Sequence, residues 1–330
     1  MLAHLRPDPF TVALALTVVL ATALPVEGRG AEIFRIATNI AIALLFFLHG
    51  ARLSRDAVIA GATHWRLHVV ILGATFILFP ALGVLINWGL SSWLTPALAS
   101  GILFLSVLPS TVQSSIAFTA MAGGNIPAAI CAATASNLLG MVITPVLAGL
   151  LFAVQGVGLS TTVLLTICVQ LFLPFVLGQA VQPFVGNFLR KHRKPLSIVD
   201  RGSILMIVYL AFSEATTAGL WREFSLGALA TMLAVDVILL IVVLAATTWG
   251  SRALGFGRED EIAIVFCGSK KSLASGVPMA NVIFAGQPIL GAIVLPVMIF
   301  HQIQLMACAW LARRYAMRHK RDAIPDAAAR

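Results

Sequence analysis

The chain has 330 residues, of which 59% are hydrophobic and 11% charged, and its mean hydropathy is +0.97. Soluble domains carry about 25% charged residues, so this composition excludes a soluble protein and indicates one embedded almost wholly in a membrane. The net charge of +9 comes from basic residues in short segments between apolar runs, a placement that orients a membrane protein and implies no nucleic-acid partner.

About twenty apolar residues cross a bilayer. The first run, Phe10–Leu24, follows Arg6 and is short. A signal peptide cleaved near Ala21–Ala23 fits the same length, but the symmetry described below favours a retained helix. The next spans are expected at Ile33–Gly50, Leu67–Leu90, Ala97–Ala122, Pro127–Ala153 and Leu159–Phe184. Four more follow at Ser203–Leu220, Ser225–Trp249, Ile262–Ala285 and Pro288–Leu311, which makes ten. Cys131, Cys168, Cys267 and Cys308 all fall in apolar runs without paired spacing, which argues against disulfides and zinc.

With the N-terminus inside, seventeen Lys and Arg residues fall on the cytoplasmic side and three (Arg29, Arg35, Arg222) outside. That bias places both termini in the cytoplasm of a cell, with a bacterial inner membrane suggested by the alanine-rich chain and compact loops. The basic loop 187–202 separates residues 1–186 (spans one to six) from 203–311 (spans seven to ten), and 312–330 form a basic tail suited to anionic headgroups. Taken five by five, the spans make two halves of opposite orientation, and in each half the fourth span is interrupted. Paired interrupted segments in two inverted repeats are the pattern of a secondary-transporter binding site.

Span four breaks around Pro109, in Leu103-Phe-Leu-Ser-Val-Leu-Pro-Ser-Thr-Val-Gln-Ser-Ser115. Span nine breaks in Gly268-Ser-Lys-Lys-Ser272. Interrupted helices leave unpaired N–H groups at one half's start and unpaired C=O groups at the other's end, and breaks that cross at mid-membrane could bind an anion or a cation. Ser110, Thr111, Gln113, Ser114 and Ser115 supply neutral ligands from one break, and Ser269 and Ser272 from the other. Lys270 and Lys271 are costly at this depth, by roughly 2.5–3.5 kcal/mol each on insertion scales. A lysine beside a half-helix N-terminus has the wrong sign, so a carboxylate, a bound anion or loss of its proton is required. Asp236, midway along span eight, is the expected partner of Lys270 or Lys271. Asn137 in span five and His301 in span ten, near Gln302 and Gln304, are further candidates for the cavity. A Ser275–His301 hydrolytic pair is the enzyme alternative, but serine beside glycine is ordinary at helix contacts, so no enzyme is expected.

The ten-span pattern, the Pro-broken fourth span and the run Gly268-Ser-Lys-Lys-Ser-Leu-Ala-Ser-Gly-Val-Pro278 resemble the bile acid:sodium symporter superfamily. The nearest subgroup is the one related to the seventh member of human solute carrier family 10. The resemblance implies an all-α membrane fold with a core of spans three to five and eight to ten. It also implies a panel of spans one, two, six and seven, with spans four and nine crossed at the centre. In the sodium-coupled members the ninth span carries sodium-binding acid and amide residues. Here the stretch is Phe266-Cys-Gly-Ser-Lys-Lys271, and Ser114–Ser115 replace a Ser-Asn pair. Sodium at Ser114 and Ser115 is the one bound ion the resemblance leaves open, with a proton carried by a lysine as the alternative; no other cofactor or metal is expected. The expected function is alternating-access transport of a small organic anion, with a monomer compatible. A non-transporting regulator of calcium entry is the alternative that eukaryotic relatives suggest.

Overall fold

The computed structural model describes residues 9–52, 64–90, 92–154, 168–219, 225–285, 287 and 289–322. The expected beginning of span six at Leu159 and end of span seven at Leu220 lie outside them, as do Arg6, Arg55 and Arg222. The described residues form thirteen α-helices and no strands. They are α1 (Pro9–Ala23), α2 (Gly28–Arg52), α3 (Trp65–Gly73), α4 (Phe79–Gly89), α5 (Pro96–Val107), α6 (Gln113–Ala122) and α7 (Ile126–Val154). The rest are α8 (Leu173–Lys191), α9 (Arg193–Thr217), α10 (Leu226–Ala253), α11 (Arg258–Gly268), α12 (Leu273–Ile283) and α13 (Leu290–Asp322). Five residues of π-helix, Ala74–Leu78, join α3 to α4, and a second π segment, Cys168–Phe172, leads into α8.

Seven stretches among the described residues are long and apolar enough to cross a membrane: Gly28–Arg52, Trp65–Gly89, Ile126–Phe152, Val169–Gly186, Pro195–Thr217, Leu226–Ala253 and Leu290–Met317. The chain is a multi-pass membrane protein. The stretches outside that set are α1, only 15 residues long, and two pairs of short helices, α5–α6 and α11–α12, each separated by a few non-helical residues.

Two expectations need correction. The segment 187–202, expected as a loop, is largely helical: α8 reaches Lys191, the chain turns at His192, and α9 starts at Arg193. The tail likewise continues α13 to Asp322. Hydropathy locates the part of a helix that sits in lipid, whereas Lys- and Arg-rich ends remain good helix formers in water.

Local chemistry accounts for the helix ends near the centre. Thr95 caps α5 by accepting from the Leu98 N–H, with Pro96 in the first turn. The helix stops because Pro109 forces the residue before it out of the helical region: Leu108 has φ −68° and ψ 152°. Beyond the gap, Ser272 caps α12 by accepting from the Ser275 N–H.

α2, α8 and α9 pack together, with α1 against α9. Gly50 and Gly178 make the α2–α8 approach close, each lying against the other helix's backbone, so a Cβ at either would collide with a main-chain carbonyl. The remaining helices surround α5, α6, α11 and α12. α13 touches α5, α6, α10 and α12, while α11 touches α3, α6, α7 and α10. At one end Arg252 donates twice to Glu261 (2.9 and 2.8 Å), which also accepts from the Tyr315 hydroxyl at 2.7 Å, tying α10, α11 and α13.

Candidate binding site where the two interrupted helices meet

The gap 108–112 and the gap 269–272 lie against each other. The Ser272 N–H donates to the Pro109 carbonyl at 2.8 Å, a main-chain bond between the two breaks. The Ser110 hydroxyl donates to the Cys267 carbonyl at 2.5 Å and the Ser115 hydroxyl to the Phe266 carbonyl at 2.8 Å. Hydroxyls of the first break thus cap the carbonyl end of α11, which has no N–H of its own to receive.

The carbonyls leaving α5 are accounted for one by one. Leu105 accepts the Leu108 N–H, Val107 the Thr144 hydroxyl (2.8 Å), Pro109 the Ser272 N–H and Ser110 the Asn137 amide (2.6 Å). Ser106 and Leu108 accept the Lys271 ammonium, each at 2.7 Å. The third Lys271 contact, also 2.7 Å, is the Thr75 carbonyl in the π segment. That carbonyl is available because the Phe79 N–H, its α-helical partner, bonds to Ala74 instead. Three acceptors with no hydrogen to give require three N–H donors, and only the protonated amine has three. The Phe79 ring, with its centroid 4.1 Å from Nζ, covers another side.

Gln304 completes the second break. Its Oε1 accepts the Lys271 N–H and its Nε2 donates to the Lys271 carbonyl, both at 2.8 Å, so one side chain satisfies both main-chain groups of a residue outside any helix. His301 Nδ1 lies 2.9 Å from the same Nε2 and positions the amide. Asn137 links the breaks from α7: its Oδ1 accepts from the Ser275 hydroxyl at 2.7 Å while its Nδ2 holds Ser110. Ser136 accepts the Ser110 N–H at 3.0 Å. Gly140 lies against the Pro109 ring, where any Cβ would clash.

Lys270 differs from its neighbour. Its side chain is fully buried, and its Nζ has no hydrogen-bond partner among the described residues. It lies 4.2 Å from the Phe118 ring centroid and 5.5 Å from that of Phe266, with the Cys267 and Cys308 thiols as its polar neighbours.

The expected candidates therefore divide. Ser110, Ser115, Asn137, Ser269, Lys270, Lys271 and Ser272 come together at the two breaks, and His301 joins through Gln304. Thr111 and Ser114 form a hydroxyl chain with Ser115, at 2.8 and 2.9 Å. Gln113 stays outside it, exposed in the first turn of α6. The expected pairing of Asp236 with Lys270 or Lys271 is wrong. Both carboxylate oxygens of Asp236 are buried without a partner among the described residues. Gly268 lies against Thr247 of α10, and Asp236 is three turns from Thr247, ~16 Å along the helix. A mid-span position on α10 is not level with the break. The charge beside α12 is met instead by the carbonyl end of α5. Thr75, Ser106 and Leu108 had no signal in the sequence, because they act through main-chain oxygens. Gln304 did have one, three residues after His301.

The sequence profile of the SBF-like CPA transporter family matches residues 8–317. YfeH of Escherichia coli (strain K12) is 51% identical over 308 residues, 93% of this chain and 92% of the relative. Sodium/bile acid cotransporter 7 of Mus musculus is 30% identical over 81% of this chain and 79% of its own. The protein of the same name from Xenopus tropicalis is 28% identical over 93% and 91%.

Proposed function

Because the chain belongs to the SBF-like CPA transporter family, we propose that it is a secondary transporter that moves a small organic anion by alternating access. In this reading the chain crosses the membrane ten times, in two inverted repeats of five, and the pairs α5–α6 and α11–α12 cross at mid-membrane. The basic helical segment 187–202 and both termini lie in the cytoplasm. The panel of α1, α2, α8 and α9 moves against the other helices. The long 3.5 Å contact between Asn39 of α2 and Asn281 of α12 would lie towards the outside. Exposure of Gln113, Ala117, Ala120 and Met121 along one stripe of α6 fits a watery vestibule reaching the crossing from within.

The observation that carries the proposal is Lys270, a buried amine with no acceptor among the described residues, where the two helix pairs meet. An unpaired cation there favours an anionic cargo and can also carry a proton through the cycle. Sodium coupling has less support, since the stretch Phe266–Lys271 holds no carboxylate. The names of the animal relatives suggest a bile acid as the first anion to try. The test is uptake of a radiolabelled bile acid into proteoliposomes under an imposed proton gradient, with choline replacing sodium. Uptake that collapses with the gradient and is lost in Lys270→Met supports the reading. Uptake that requires sodium and ignores the proton gradient would sink proton coupling, and equal uptake by Lys270→Met would remove the lysine from the mechanism.

A further inference from the structure

Lys271 is held as a free ion would be. Its three contacts are neutral main-chain oxygens at 2.7 Å, drawn from the π segment and from the end of α5. No carboxylate takes part. The fourth direction is closed by the Phe79 ring, and the residue is 1% exposed. Rings of carbonyl oxygens replace the hydration shell of monovalent cations in ion-selective proteins, whereas the tighter divalent sites add carboxylates to offset the second charge. An aromatic face attracts a bare cation as well.

The acceptors are fixed independently of the lysine. Ser106 and Leu108 are held by the α5 terminus and Pro109, and Thr75 by a π turn whose bonding displaces the N–H that would otherwise cover it. Take away the amine and three converging, desolvated oxygens would face an empty space the length of a lysine side chain. Leaving them unpaired is expensive, so the cage favours any small cation that can enter.

We propose that the Thr75, Ser106 and Leu108 carbonyls form a monovalent-cation site whose resident occupant is the chain's own Lys271 ammonium. A tethered ion of this kind neutralises the carbonyl end of α5 at all times and makes the integrity of the crossing independent of external sodium or potassium. The inference concerns what stabilises the crossing and holds whatever the chain carries, so its test uses no transport assay.

The experiment compares thermal unfolding midpoints of purified wild type, Lys271→Ala and Lys271→Met in chloride salts of sodium, potassium, ammonium and choline at equal ionic strength. Lys271→Ala opens the cage. Its midpoint in choline should fall well below that of wild type and rise by several degrees, in a saturable way, with at least one of the small cations. Wild type should not distinguish the salts. Lys271→Met fills the space with an uncharged side chain, so it should be destabilised with no salt-specific recovery. If Lys271→Ala folds too poorly in choline, Lys271→Ser is taken through the same salts, with yield of monodisperse protein as a second readout. A Lys271→Ala protein indifferent to the cation, an equal response in wild type, or failure of both small variants in every salt would overturn the proposal.

Discussion

Lys270 and Lys271 are consecutive residues, both buried, and the protein treats them in opposite ways. Lys271 has three hydrogen-bond acceptors for its three donors, and a glutamine secures its backbone. Lys270 has aromatic rings and thiols around it and no acceptor among the described residues. The contrast shows that a charge buried in a membrane protein does not by itself identify a working group. One lysine has its interactions satisfied within the fold and serves as structure. The other is left with capacity to spare, which is what a group that meets a ligand or a proton needs.

Substitutions can break or sharpen this difference. The largest loss of stability is expected for Lys271→Met, which leaves three buried carbonyls unpaired and should cost more than about 3 kcal/mol, read by denaturant titration in detergent. Gln304→Leu comes next. It strips the partners from the Lys271 N–H and C=O and should cost about 2–4 kcal/mol, while His301→Phe, which leaves those two bonds in place, should cost less. Lys270→Met goes the other way: exchanging an unpaired buried amine for an apolar chain of similar length should leave stability unchanged or raise it by about 1 kcal/mol, yet abolish uptake. A large loss of stability there would mean that Lys270 is structural too, and the contrast would fail. Asp236→Asn should have the smallest effect, within about 1 kcal/mol, because neither carboxylate oxygen has a bond to lose. A larger fall would show that the carboxyl takes a partner in another conformation.

The positions of the two breaks could be read from the sequence because polar residues are conspicuous in apolar surroundings. Pro109, the hydroxyls after it, and the two lysines mark where helices stop, and the bends and caps follow from rules for X-Pro and serine. What joins the two breaks was much less legible. The Asp236 pairing fails because the middle of α10 is not level with the gap 269–272 beside it. The true partners of Lys271 are backbone oxygens of Thr75, Ser106 and Leu108, and any residue type offers the same carbonyl. Gln304 shows the intermediate case, visible as an intramembrane amide but silent about which backbone it would clamp.

The five-residue π turn at Ala74–Leu78 has a consequence of its own. A π turn is in effect an α-helix with one residue too many, and the surplus rotates everything after it by roughly a quarter of a turn or more. Here it frees the Thr75 oxygen and carries the Phe79 ring round to the same ammonium. Deleting a single residue from this turn would let an ordinary helix re-form with its apolar composition intact, so hydropathy would register almost no change. The cage around Lys271 would nonetheless lose two of its walls together. Sequence length in this stretch, more than residue identity, is what the cage depends on.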